Sequence, residues 1–151
     1  MLKIIRATAR DVPVIAPLFD AYRVFYKQES DIETAHNFLK SRLSNEQSIV
    51  LMAFWAGEAV GFTQLYTTYS SVSLQPFYIL NDLYVKPESR GKGIGESLLT
   101  EAKKVCKSSQ FKGLALETAV DNPAQVLYEK LGWRKDAGYF HYFWTNTDLD
   151  L

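Results

Sequence analysis

Residues Asn81 to Gly95 read N-D-L-Y-V-K-P-E-S-R-G-K-G-I-G, and the fold turns on this stretch. It holds an apolar strand, a turn broken by Pro87, and a basic glycine loop that runs into a helix at Glu96. A helix N-terminus carries unpaired N–H groups and roughly half a positive charge, and glycines let a bulky anion approach the backbone. The strand before the loop would then hold the reacting end of the same ligand. Taken alone, the loop also reads as a flexible turn with surface charges, so its neighbours must decide.

Upstream, Leu2–Arg6 has the make-up of a short strand, and Thr8-Ala-Arg-Asp11 has the spacing of a capping box that opens a helix. Ile15, Leu18, Phe19, Tyr22 and Tyr26 recur with the helical period, and Ala35, Phe38, Leu39 and Leu43 repeat the pattern in a second, shorter helix. Ser48–Trp55 is nearly all apolar and ends at Ala56-Gly57-Glu58, a hairpin signal, before a strand from Ala59 to near Tyr69. Phe77–Val85 is the third long strand of this meander. Beyond the glycine loop, Ile94, Leu98, Ala102, Val105 and Cys106 mark one face of a helix reaching Ser108, and Leu114–Thr118 reads as a strand.

The next helix is signed at both ends. Asn122 suits the N-cap, Pro123 the first helical position and Gln125 the capping-box position, while Gly132 can end the helix in a left-handed turn. Closing strands are predicted at Trp133–Lys135 and Tyr139–Trp144. The order βααβββαβαββ predicts an α/β chain whose mixed, mostly antiparallel sheet of about seven strands carries four helices on both faces. The strands at 77–85 and 114–118 flank a helix, so they are predicted to be parallel neighbours joined by a right-handed crossover.

Composition bounds the function. At 151 residues, 47% hydrophobic and 23% charged, the chain reads as one soluble domain, residues 1–151, with a single core and no linker or repeat. No apolar run nears the roughly 18 residues of a membrane span. The N-terminus M-L-K-I-I-R-A-T lacks the apolar stretch of a secretory leader. A lone cysteine, Cys106, cannot form an internal disulfide, which predicts a reducing, cytoplasmic setting. Seventeen basic and seventeen acidic side chains cancel, so a nucleic-acid or membrane partner has little electrostatic support. No metal is expected.

The loop Arg90-Gly91-Lys92-Gly93-Ile94-Gly95 is not a Walker A loop, because its lysine stands between the glycines. Its G-x-G-x-G spacing, after an inner strand, is not a dinucleotide fingerprint either. It fits the Q/R-x-x-G-x-G/A signature of the GCN5-related N-acetyltransferases, and the chain resembles that GNAT superfamily over essentially its whole length. Asn122–Trp133, N-P-A-Q-V-L-Y-E-K-L-G-W, resembles the family's second hallmark, a helix ending in Y-x-x-x-G-aromatic. The segments A-Y-R-V-F-Y, G-F-T-Q-L-Y and I-L-N-D-L-Y-V are similar to a bacterial branch related to the yeast histone and D-amino-acid acetyltransferases.

The resemblance implies acetyl-coenzyme A as cosubstrate, lying between two parallel strands that splay apart. Arg90, Gly91, Lys92, Gly93, Ile94 and Gly95 would take its pyrophosphate, and Leu83, Tyr84 and Val85 would pair with the pantetheine arm as an extra strand does. Val85 would stand at the splay, where a backbone N–H can stabilise the oxyanion of the tetrahedral intermediate. Leu83 and Val85 are equally well explained as core strand residues. Tyr128 matches the family's general acid, since a phenol of pKa about 10 can protonate a departing thiolate of about 8.5 without itself being ionised. Ala124, Leu127, Tyr128 and Leu131 share one helix face, so core packing is the rival account of Tyr128. Asn122 would bond the cofactor arm, although its cap role already accounts for it.

The attacking amine must lose a proton first, and many relatives supply a strand glutamate for this. Here Asn81 departs from that pattern and cannot act as a base. By strand alternation it shares a face with Leu83 and Val85, opposite to Asp82. Asp82 or Glu117, through a water, are the candidate bases, and each is equally a structural or substrate-holding acid. Tyr22, Tyr26 and Gln28, with Asn81, are the candidate acceptor-pocket residues, and helix packing explains the two tyrosines as well. Cys106 lies on an apolar stripe and makes a poor nucleophile. Two functions follow: an acetyltransferase acting on a primary amine of a small molecule or protein by direct attack, or an acyl-coenzyme A-binding regulatory module without turnover. The aromatic last strand predicts a homodimer.

Overall fold

The computed structural model describes residues 1–149. It runs β1 (Leu2–Arg6), α1 (Val12–Phe25), α2 (Ile32–Ser44), β2 (Ser48–Trp55), β3 (Glu58–Ser70), β4 (Gln75–Val85), α3 (Ile94–Ser108), β5 (Leu114–Ala115) and α4 (Gln125–Lys130). Two compact units divide it, Met1–Glu117 and a second from Thr118 onward. Among the described residues, no helix is long and apolar enough to cross a membrane.

In the first unit the local signals act as expected. Thr8 Oγ1 accepts from Arg10 N (3.3 Å) while Asp11 Oδ2 accepts from Thr8 N (2.7 Å), and this box opens a short 3-10 turn that leads into α1. Ala56 and Gly57 take φ of 50° and 86°, the paired left-handed residues that a two-residue hairpin needs to match the twist of its strands. The sheet order is β1-β2-β3-β4-β5. The first four strands pair antiparallel, and β5 joins β4 in parallel through Tyr78↔Leu114 and Ile79↔Ala115. Helices α1 and α2 cover one face, where Val12, Ile15, Phe19, Ala35 and Leu39 meet Val50, Met52, Phe62 and Tyr84. Helix α3 packs on β2, β3 and β4 with Ile94, Leu98, Leu99, Ala102 and Cys106 buried.

Two strand expectations need correction. Leu114–Thr118 is a strand only over Leu114–Ala115, and Trp133–Lys135 and Tyr139–Trp144 are irregular, so among the described residues the sheet has five strands instead of about seven. The preference of aromatic residues for strands is a packing effect rather than a backbone one. Tyr139, Phe140, Tyr142, Phe143 and Trp144 are 80–92% exposed, so nothing converts their preference into a ladder.

In the second unit, Asn122 Oδ1 accepts from Ala124 N (2.9 Å) and Gln125 Nε2 reaches Val120 O (2.8 Å) and Asn122 O (3.1 Å). Asn122 thus closes a turn ahead of the helix, but α4 begins only at Gln125 with Ala124 at its N-cap and no side-chain cap bond, and Gln125 donates to Asn122 O instead of accepting from its N–H, so the predicted cap and capping box do not form at the helix start. At the other end Gly132 takes φ 91°, its N–H bonds Glu129 O (3.1 Å), and Trp133 N bonds Tyr128 O (3.0 Å). This is a Schellman cap, completed by a ring contact of Tyr128 with Trp133 at 6.0 Å. The Y-x-x-x-G-W spacing is therefore the spacing of a helix stop.

Candidate active site

The end of β4 departs from a regular ladder. Gln64 stands opposite Asp82 and Leu65 opposite Leu80, leaving Asn81 without a partner residue. Leu80 and Asn81 together oppose Leu65, which is a β-bulge. The bulge changes which main-chain groups face which neighbour. Before it, Tyr78 N–H points to β5 and bonds Gly113 O (3.0 Å); after it, Lys86 N–H points to β3 and bonds Val60 O (2.8 Å). By alternation from Lys86, Leu83 and Val85 turn their N–H and C=O groups away from β3. On that side β5 ends at Ala115, which pairs with Ile79, so among the described residues no strand covers the last residues of β4. Gly61 opposes Val85, and a Cβ there would fall 2.7 Å from Tyr84 O. That close approach explains a glycine the sequence reading passed over.

The loop after β4 leaves open space around its glycines. Gly91 and Gly93 take φ of 80° and 76°, and a Cβ on either would meet nothing within 4 Å. The first turn bond of α3 runs from Ser97 N to Gly93 O (3.1 Å), so the N–H groups of Ile94 and Gly95 lie ahead of the helical ladder. A diphosphate fits such a cradle. Arg90 is committed elsewhere: its Nε donates to Val85 O (2.9 Å), and its guanidinium lies 5.8 Å from the Tyr84 ring and 5.7 Å from that of Phe25. Lys92 Nζ lies 4.9 Å from the Trp55 ring. The loop's cations thus brace it against its own unit.

Asp82 is 1% exposed. Its carboxylate accepts from Gln64 Nε2 (2.6 Å) and Asn81 Nδ2 (2.7 Å), and its carbonyl from Thr63 Oγ1 (2.7 Å). Burial pushes the carboxyl above its usual range, and the two amide bonds offset part of that rise. Nearby, the Tyr66 phenol is driven up by burial and then by Asp82, with Arg42 pulling the other way. Asn81 is exposed and Asp82 buried, as alternation predicts. Glu117 follows β5 and is exposed.

Of the acceptor candidates, Tyr22 donates its hydroxyl to Asn81 O (3.2 Å) and stands in a ring cluster with Phe62 at 5.9 Å, Tyr84 at 6.4 Å and Tyr26 at 5.0 Å. Tyr26 and Gln28 are exposed at the end of α1. Asp20, which the sequence reading missed, is 5% exposed and bonds Ser30 Oγ (2.6 Å) and Asp31 N (2.7 Å), fixing the turn that carries Gln28. Its signal was an acid on an apolar helix face. Gln64, equally missed, is an amide inside an apolar strand. Asn122 and Tyr128 belong to the second unit and carry the turn and the helix stop described above.

Comparison with known proteins identifies the family. The Acetyltransferase (GNAT) family profile matches residues 15–133, and the chain belongs to that family. It is 48% identical over 142 residues to the uncharacterized N-acetyltransferase YhfO of Bacillus subtilis (strain 168), covering 93% of this chain and 95% of that protein. A probable acetyltransferase of Haemophilus influenzae is 31% identical over 119 residues, covering 78% and 82% of the two chains. The crystal structure of a probable acetyltransferase superposes with a TM-score of 0.91 at 35% identity, covering 97% of this chain and 99% of the other. The chain is an acetyltransferase with the mixed α/β GNAT fold.

Proposed function

We propose that this chain moves acetyl from acetyl-coenzyme A to a primary amine of a small molecule or a protein, by direct attack in a ternary complex. The observation that carries this reading is the uncovered side of β4. Leu83 offers its N–H and C=O there and Val85 its N–H, the Val85 carbonyl being held by Arg90, and an amide-bearing pantetheine arm can pair with them as an added strand, alongside Tyr84. The arm then leads its pyrophosphate to the amides at Gly91, Gly93, Ile94 and Gly95, flanked by Arg90 and Lys92. Asn122 bonds the arm.

In the reaction the amine nitrogen attacks the thioester carbon, and the Val85 N–H stabilises the developing oxyanion. The C–S bond breaks as Tyr128 gives its proton to the departing thiolate. Asp82, or Glu117, receives the ammonium proton through a water. A carboxyl raised by burial takes up a proton near neutrality more readily than an ordinary one. Tyr22, Tyr26, Gln28 and Asn81 face the acceptor.

Both units act as one catalytic domain of residues 1–151, a reading supported by a family match that crosses their boundary. The exposed aromatic run 139–144 is the surface on which a second copy docks, and the buried free thiol of Cys106 suits the cytoplasm. Calorimetry with acetyl-coenzyme A, followed by a free-thiol release screen over pooled amines, tests the function. Saturable binding with thiol release on one amine class is expected. Absence of heat at about millimolar cosubstrate, where even the weakest useful affinity of about −4 kcal/mol would register, refutes it.

A further inference from the structure

Gln64 is 0% exposed on β3, facing Asp82 across the last regular pair before the bulge. Its amide is one of only two side-chain donors to the Asp82 carboxylate, and no ion pair neutralises that carboxylate among the described residues. The other donor, Asn81, is the bulge residue itself, and its carbonyl is held in turn by Tyr22 from α1. A chain of hydrogen bonds therefore runs from the middle of the sheet, through Asp82, to the one residue whose placement reverses the main-chain direction of β4. Gln64 Oε1 is buried without a partner. A lone buried acceptor is unfavourable in itself, a cost set against the bond that Nε2 makes to Asp82.

We propose that Gln64 is a positioning residue of the acetyl-transfer site, which through Asp82 and Asn81 holds the bulge that turns Leu83 and Val85 toward the cosubstrate. The inference rests on the reading of β4 as the cosubstrate strand. The Gln64 amide can serve Asp82 in either protonation state. Against the carboxylate it presents Nε2, as observed; against the neutral acid it can rotate and present Oε1, which then gains the donor it now lacks. The other groups around this network are Tyr66 on β3, Tyr84 on β4, Tyr22 on α1 and, through Tyr66, Arg42 on α2.

Acetyl-coenzyme A affinity, measured by calorimetry between about pH 5 and 8 on wild type, Gln64→Leu and Gln64→Glu, tests the assignment. In wild type, binding weakens on the acid side as Asp82 gains a proton. Gln64→Leu removes a donor to the charged form, so affinity should fall about tenfold and the weakening should begin at higher pH. Gln64→Glu puts two carboxyls in contact, which hold one proton between them. It should bind well only at acid pH and lose affinity as pH rises, the reverse of wild type. A merely structural role would lower the melting temperature of both variants and leave the pH profiles alone. Should Gln64→Leu fail to fold, Gln64→Met supplies the same arm. Folded variants with wild-type affinity and pH dependence overturn this inference alone, whereas a wild-type protein that does not bind acetyl-coenzyme A overturns the acetyl-transfer reading and this inference with it.

Discussion

Gly93 precedes α3 with φ 76° and ψ 13°, and a methyl placed on it would touch nothing within 4 Å. Gly93→Ala therefore introduces no clash, only the penalty of a left-handed backbone for a residue with a Cβ, about 1 kcal/mol. For a chain of this length that lowers the melting temperature by about 2–4 °C. Gly57→Ala is the matched control, since Gly57 has φ 86°, equally open surroundings and a place at the β2–β3 hairpin. The two variants should lose the same stability and differ in binding. On the proposed reading the Gly93 methyl would enter the space through which a diphosphate reaches the Ile94 and Gly95 amides, so acetyl-coenzyme A affinity should drop at least tenfold, about 1.4 kcal/mol. Gly57→Ala should keep wild-type affinity. Scanning calorimetry and titration calorimetry on the same preparations give both numbers. Equal thermal losses with unaltered affinity in both variants would show that the loop's openness has nothing to do with an anion.

Other outcomes follow from individual side chains. Burial raises the Asp82 carboxyl above the ordinary value of about 3.9, so its contribution to stability is fully present below that pH and is lost as pH rises through the raised value. Asp82→Asn removes the buried charge at constant shape; it should melt above wild type near neutrality, with the gap closing on acidification, and a gap that widens toward acid pH contradicts this. Tyr128→Phe keeps the ring against Trp133 and removes the acid; kcat should fall about 10²- to 10⁴-fold with cosubstrate affinity intact, and an unchanged kcat removes Tyr128 from its role. Cys106→Ser should leave turnover near wild type, since the thiol is 6% exposed and burial holds it protonated. Turnover abolished in that variant would argue for a covalent acyl-cysteine.

How far a feature could be read from sequence depended on whether its cause is local. The Thr8 box, the Ala56-Gly57 turn and the Gly132 helix stop each depend on residues a few positions apart, and each forms where its spacing predicts, whereas Asn122 closes only a turn ahead of α4. The apolar stripe of α3 behaves likewise, although Leu99 extends it. The closing strands failed because an aromatic run becomes a strand only against a partner, which composition does not disclose. Asp20 and Gln64 escaped notice for a related reason. A single polar residue in an apolar pattern reads as noise until the groups it bonds, Ser30 and Asp31 in one case and Asp82 in the other, are brought to it by the fold.

The deepest gap between sequence and site lies in β4 itself. Burial alternates from Tyr78 to Tyr84, with every even-numbered residue buried, so a period-two reading correctly separates exposed Asn81 from buried Asp82; yet Tyr78 meets Ser109 and Phe111 at the end of α3, whereas Tyr84 lies in the cluster under α1. Main-chain direction does not follow the same count. In an unbulged strand Tyr78, Asp82 and Tyr84 would all send their N–H groups toward β5, and Leu83 and Val85 would be paired to β3. The extra residue at Asn81 reverses this and carries the even-numbered side chains from the α3 face to the α1 face. The groups offered to a cosubstrate thus depend on pairing register, a property of two strands. On the proposed reading, Gln64 on β3 and Tyr22 on α1, each remote in sequence from the bulge, hold that register through their bonds to Asp82 and Asn81.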